Sequence, residues 1–301
     1  MSTIASALDQ THPPQTGATL AAAITRAASA QSYTTIRLLA DRDRRADAYR
    51  AYAYFRWVDD LVDGNGPPDE ARAFLRRQQN LLDAGYAGRM PADLRPEERL
   101  LAELIAGDDE VDSGLQAYLR HMMSVMAFDA GRRGRLISAA ELDDYSRLLA
   151  TAVMEALLHF IGHGQPAPAG PARYCAVVGA HVIHMLRDAA EDAAAGHFNV
   201  PAEYLSAHDL HPADTAHPAC RQWARERVAL ARACFDEGRV TIAALDNPRR
   251  RLAGLAYTAR FEWMARLIER DGYVLRPCYP QRKSAAAALW MTWRTLSAWS
   301  L

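Results

Sequence analysis

From Thr19 onward, apolar residues recur at three- and four-residue intervals in stretches rich in Ala, Leu and Arg, and no segment alternates apolar and polar positions as a half-buried strand would. The pattern predicts an all-α fold. Clusters of Gly, Pro and Asp interrupt it at "DGNGPP" (63–68), "GYAGRMPADLRP" (85–96), "GDDEVDSG" (107–114), "GHGQPAPAGP" (162–171), "GHFNVP" (196–201), "HDLHPADTAHP" (208–218) and "LDNP" (245–248), and these breaks bound about eight helical segments. No internal repeat and no long linker divides the chain. The expectation is a flexible tail over residues 1–18 followed by one helical domain over 19–301.

Composition narrows the function. Half of the 301 residues are hydrophobic and the formal net charge is −1, so the core can be large and the basic footprint of a nucleic-acid binder is missing. Cys175, Cys220, Cys234 and Cys278 form no CxxC pair and are too sparse for a disulfide framework, which indicates a reducing compartment. No Lys or Arg precedes Arg26, and no apolar run reaches the roughly 18 to 20 residues of a membrane span. A cytoplasmic protein is expected.

One feature of charge placement is unusual. Asp59, Asp60 and Asp63 stand in the last turn of a helix, just ahead of a Gly-Pro stop, where the helix dipole is already negative and an added acid typically costs about 0.3 to 1 kcal/mol. Asp59 and Asp63 are four apart and leave one helix face, with Arg56 on the turn before. The arrangement returns at "HMLRDAAEDAAAGHFNVP", where Asp188 and Asp192 are four apart and Arg187 precedes them. A solvated acidic face explains either cluster alone. Both together, each embedded among apolar residues such as Trp57, Val58, Met185 and Leu186, point to a cation between them. Hard oxygen ligands suit Mg²⁺, which keeps several waters and takes phosphate oxygens into its shell while arginines offset the remaining charge. The chemistry so served is departure of diphosphate from an allylic carbon within apolar walls.

On these residues the chain resembles the squalene and phytoene synthase family, the head-to-head prenyltransferases of the isoprenoid synthase fold. "SYTTIRLLADRDRRADAYRAYAYFRWVDDLVDG" (32–64) is similar to the family's first block, which ends in R-x-x-D-D/E-x-x-D, and "LRDAAEDAAAGHFNVP" (186–201) to the second, R-D-x-x-E-D followed by Gly and Pro. "MAFDAGRRGRLISAAELDDYSRLLATAV" (126–153) looks like a single family helix carrying M-x-x-D and then E-L-x-x-Y, and "MARLIERDGYVL" (264–275) like the closing I-E-x-x-G-Y segment. The resemblance implies a helical bundle with a central apolar cavity, farnesyl or geranylgeranyl diphosphate as substrate, and Mg²⁺, with Mn²⁺ as a substitute. It implies Asp59, Asp63, Asp188 and Asp192 as metal ligands, Arg56 and Arg187 as diphosphate grips, Ser32 and Tyr52 near the diphosphate, and Tyr145 as the tyrosine that steers the carbocation or assists proton removal. No dinucleotide motif marks an NADPH site, and the resemblance leaves NADPH use and monomer or homodimer open.

The chain also departs from the family pattern. His181 and His184 replace Q-x-x-N, as diphosphate contacts, as satisfied core histidines, or with Asp188 as a two-His, one-carboxylate metal set. Met154 replaces a glycine, Phe261 a tyrosine, and His197 the arginine of G-R-x-x-x-P, all of which can reshape a packed pocket. The expected reaction is head-to-head condensation of two prenyl diphosphates. The alternatives are a class I terpene synthase cyclising one substrate and a non-catalytic lipid-binding or assembly relative. Trp290, Trp293 and Trp299 in the last segment suit a peripheral membrane contact, core packing or a dimer contact.

Overall fold

The computed structural model describes residues 17–64, 67–214 and 216–299, and these residues form helices and connecting turns without a strand. Of the expected tail, residues 17 and 18 belong to the first helix and the rest lie outside the described residues. In chain order the helices are α1 (Gly17–Ala28), α2 (Ala30–Leu39), α3 (Arg45–Val62), α4 (Pro68–Tyr86), α5 (Pro96–Ala106), α6 (Gly114–Arg132), α7 (Ala139–Phe160), α8 (Cys175–Ala194), α9 (Ala202–Ala207), α10 (Pro218–Ala243), α11 (Pro248–Arg270) and α12 (Ala285–Trp299).

Every break marked by Gly, Pro and Asp clusters falls between helices, and Pro occupies the first helical position of α4, α5, α10 and α11, where a missing amide costs nothing. The chain has more helices than expected because other breaks carry weaker signals. The stretch 126–153, read as one helix, is two: α6 ends at Arg132, Gly134 takes a left-handed turn (φ 74°), and a capping box of Ser138 and Glu141 starts α7. Between α1 and α2 the Ser29 hydroxyl accepts the Ser32 amide and caps the new helix.

Two apolar cores result. Tyr54, Phe55, Val58, Leu82, Leu101 and Leu119 centre the first, among α3, α4, α5 and α6. Ile183, Leu186, Val228, Phe235, Met264 and Ile268 centre the second, among α8, α10 and α11. Each such side chain contributes roughly 1.5 to 3 kcal/mol by leaving water. A smaller cluster of Val125, Ile137, Leu142, Tyr145 and Met185 joins α6, α7 and α8 between them. The apolar cavity expected at the centre of the bundle is not defined; in that region these side chains meet one another.

Two contacts set the orientation of the helices that matter most. At Gly179 of α8 an added Cβ would lie 2.9 Å from the Ala231 carbonyl oxygen, and at Gly238 of α10 it would lie 2.7 Å from the Ala176 Cβ. Only glycine permits so close a crossing, and the crossing fixes how α8 is rotated. At the other end, the fully buried Arg250 of α11 donates to the carbonyls of Leu158, Ile161, Gly162, Gln165 and Pro166, closing the carboxyl end of α7.

Candidate active site

The two acidic clusters occupy the carboxyl ends of α3 and α8. In α3 the apolar face that carries Tyr54 and Val58 is buried, Trp57 packs edge-on against Phe74 of α4, and the opposite face carries the acids toward the rim. Arg56 donates to Asp59 (3.1 Å) and also bonds Asp60. This pairing does not neutralise the cluster. Burial first, and then the charge of Asp63, push the Asp59 carboxyl up to about 6, with Asp60 and Asp129 adding to the repulsion and Arg56 opposing it. Asp63 is the exposed C-cap of α3, its backbone amide bonded to the Asp59 carbonyl. Its carboxyl is raised by partial desolvation and by Asp129, against the pull of His197, Arg56 and Arg133.

In α8 the acids are more firmly engaged. Burial alone would raise Asp188, but Arg187 (2.6 Å) and His184 (2.9 Å) bond it and hold the carboxyl well below the usual range. Asp192 accepts from the Asn199 amide (2.7 Å), and burial and Asp188 nevertheless raise it.

A chain of hydrogen bonds ties α6 and α7 to the α8 acids. Tyr145 of α7 donates to Asp129 of α6 (2.8 Å), Arg132 donates to Asp129 (2.8 Å) and to the Asn199 side-chain oxygen (2.8 Å), and Asn199 donates to Asp192. Arg132 is almost wholly buried and also lies over the Tyr145 ring at 5.2 Å. Asp129 raises both Asp59 and Asp63, and Asp192 contributes to a Tyr145 hydroxyl raised well above its ordinary value, chiefly by burial. The acids of α3 and α8 therefore belong to one electrostatic neighbourhood. Backbone bonds from Gly134 to Gly196 (2.8 Å) and from Ala202 to Ile137 (2.8 Å) fasten the turn after α6 to the turn after α8.

Tyr52 is half-buried one turn before Arg56. Ser32 lies in the first turn of α2, its amide bonded within that helix's own cap (3.1 Å). His184 is half-exposed and paired with Asp188, whereas His181 is buried against Tyr145 with ring centroids 4.8 Å apart. The two histidines thus turn to different partners, and among the described residues no three His, Cys, Asp or Glu side chains gather as one metal set, neither His181, His184 and Asp188 nor three of the rim aspartates. Asp129 is the aspartate of the M-x-x-D element, but neither it nor Arg132 and Asn199 was assigned a role from the sequence. Arg132 three residues after Asp129 is an ordinary helical spacing, and Asn199 stands in what reads only as a break.

The donors fit Mg²⁺ in the manner that ion prefers. Carboxylates at each helix end can supply one or two oxygens while water and diphosphate complete the shell, and a cation beside Asp59 would oppose the burial and the Asp63 charge that raise it.

The sequence model described as Squalene/phytoene synthase matches residues 25–286. Comparison with the curated proteins gives no match. Among solved structures, the chain is similar to the squalene synthase HpnC from Alicyclobacillus acidocaldarius, with a TM-score of 0.67 and 22% identity over 85% of this chain and 94% of that one. It is similar also to a dehydrosqualene synthase crystallised with a ligand, with a TM-score of 0.71 and 18% identity over 94% of this chain and 95% of that one. At such identities these two likenesses speak to the fold.

Proposed function

Since the chain belongs to the squalene/phytoene synthase family, and is thereby a prenyltransferase-type enzyme, we propose that it joins two molecules of farnesyl or geranylgeranyl diphosphate head to head. Diphosphate is released through a cyclopropyl intermediate, and the product is phytoene-like or squalene-like. The observation that carries this reading is the position of Asp129, which is bonded through Arg132 and Asn199 to Asp192 and whose charge also acts on Asp59 and Asp63.

Asp59, Asp63, Asp188 and Asp192 would hold Mg²⁺, or Mn²⁺ in its place. When bound, the ion stabilises the negative charge of the departing diphosphate. Arg56 and Arg187 exchange part of their carboxylate contact for diphosphate oxygens, Tyr52 and Ser32 stand on the approach, and His184 adds a polar contact at the rim. Tyr145 is fixed by Asp129, with its ring stacked on Phe128 and covered by Arg132, and the Val125, Leu142 and Met185 side chains around it exclude water. Those side chains give way as the prenyl chains enter.

A squalene-like product would require NADPH and a phytoene-like one would not. The enzyme would act in the cytoplasm, with α12 lying against the membrane that receives the product. Incubation with each prenyl diphosphate, with and without Mg²⁺ and NADPH, followed by mass analysis of the extract, tests the reading. A hydrocarbon of twice the substrate's carbon number is expected. A product of unchanged carbon number would make the protein a cyclase of one substrate, and absence of diphosphate release would make it a binder.

A further inference from the structure

His181 is buried to 4% exposure in the middle of α8, and neither ring nitrogen has a hydrogen-bond partner. Buried polar groups are nearly always paired, so an imidazole with both nitrogens unmet asks for an explanation. One nitrogen carries the proton of a neutral ring; the other presents a lone pair to which nothing donates.

Its position is informative. His181 and Asp188 are seven residues apart, two helical turns, so the imidazole stands on the same face about 10 Å below the acidic rim. Its ring meets that of Tyr145 edge to face, at 4.8 Å and 75°. Tyr145 itself cannot serve as a base, because its hydroxyl donates to Asp129 and burial holds the phenol protonated. On the condensation reading the aspartates of the rim take the diphosphate end of a substrate, which leaves the reacting carbons to the residues below it.

We propose that His181 is the catalytic base that ends the reaction, taking a proton from the carbon beside the final carbocation. This rests on the condensation reading and goes beyond it by naming the step and the residue. The electrons balance without a reductant. The C–O bond to diphosphate has already broken with its electron pair leaving on oxygen, and the new C–C bond has formed. The C–H bond adjacent to the cationic carbon then breaks, its pair becomes the new C=C bond, and the proton bonds the free ring nitrogen of His181 before passing to released diphosphate. Burial, and then the positive charges of His184, Arg132 and Arg227, keep the ring neutral down to about pH 3, so the lone pair is open at every pH at which the enzyme would operate. A carbocation's neighbouring C–H is a far stronger acid than imidazolium, so the transfer runs downhill.

The test compares wild type with H181Q and H181F, each with Mg²⁺ and the prenyl diphosphate that wild type turns over, without NADPH. Both variants are expected to release diphosphate with KM within about threefold of wild type, while the ratio of olefin to water-quenched alcohol falls at least tenfold. An unchanged ratio in either folded variant overturns the proposal, as does loss of diphosphate release together with olefin. A structure of the wild-type enzyme with a non-reacting prenyl thiodiphosphate gives an answer even if neither variant folds. A prenyl carbon within contact distance of a His181 nitrogen, about 4 Å, supports the assignment, and a chain that passes elsewhere overturns it. Wild type that yields no product of doubled carbon number would instead refute the condensation reading, whatever the ratio.

Discussion

The hydroxyl of Tyr145 donates a 2.8 Å hydrogen bond to Asp129, and the same carboxylate accepts from the almost wholly buried Arg132. Asp129 thereby sets the angle of the Tyr145 ring and supplies the counter-charge that lets Arg132 reach across to Asn199 and the α8 acids.

Replacing Asp129 by Ala should leave Arg132 buried without its counter-ion, a change that costs about 3 to 5 kcal/mol in comparable pairs. Asp129→Asn, which keeps an acceptor, should lose less stability but still slow turnover. Urea denaturation and kcat on the two variants check this; equal stability for all three proteins would show that Arg132 finds another partner.

Asp59 gives a pH signature. Its folded carboxyl titrates near 6 and an unfolded aspartate near 3.9, so the folded chain binds the extra proton and this group's contribution to stability is lost as pH rises from about 4 through 6. Asp59→Asn removes the contribution. The melting temperature of D59N relative to wild type, measured without metal, should climb between about pH 4 and 6.5 and level off above it; a difference that stays flat across that window would mean the Asp59 carboxyl is not raised in the folded protein.

Paired carboxylates predict linked binding. Mg²⁺ with inorganic diphosphate at about 100 times its dissociation constant should stabilise wild type by about 2.7 kcal/mol, raising the melting temperature by several degrees. The double variant D59N/D188N should show no rise and lose at least about a thousandfold in diphosphate release. Retained turnover in the double variant would remove the acids from the mechanism.

Arg250 should matter for stability and not for chemistry. Arg250→Met strips five carbonyls at the end of α7 of their donor and should cost at least about 3 kcal/mol, with KM unchanged in whatever folded fraction remains. Arg250→Lys should recover little, because an ammonium cannot span the fork of acceptors. Calorimetry on the two variants decides the point.

The last helix divides its surface. Trp290 packs on Trp263 and Arg294 bonds Glu262 (2.7 Å), while Leu289, Trp293 and Leu296 are exposed on one side. Among the described residues no helix is long and apolar enough to cross a membrane. Replacing Trp293 and Leu296 by Ser should weaken co-sedimentation with lipid vesicles at least severalfold without altering melting. Equal sedimentation would assign the exposed side to another use.

Helical periodicity and the punctuation of Gly, Pro and Asp made the fold class and most helix ends legible in the sequence, because those signals act within a turn or two of the chain. The paired aspartates were legible for the same reason, since residues four apart share a face whatever surrounds them. The break inside 126–153 was harder, as one glycine and a cap compete with good helix formers on both sides. Asp129, Arg132 and Asn199 could not be assembled from spacing at all. They lie 67 residues apart along the chain at their widest hydrogen bond, and only the approach of the α6 and α8 turns brings them together. The same holds for the histidines. His184 stands only three positions after His181, yet His181 is buried against Tyr145 of α7 while His184 is half-exposed and paired with Asp188. Which acids and imidazoles exist, and on which local face, is a property of the sequence. Which of them are desolvated, paired or left open depends on long-range packing, and that packing sets their charge and chemistry.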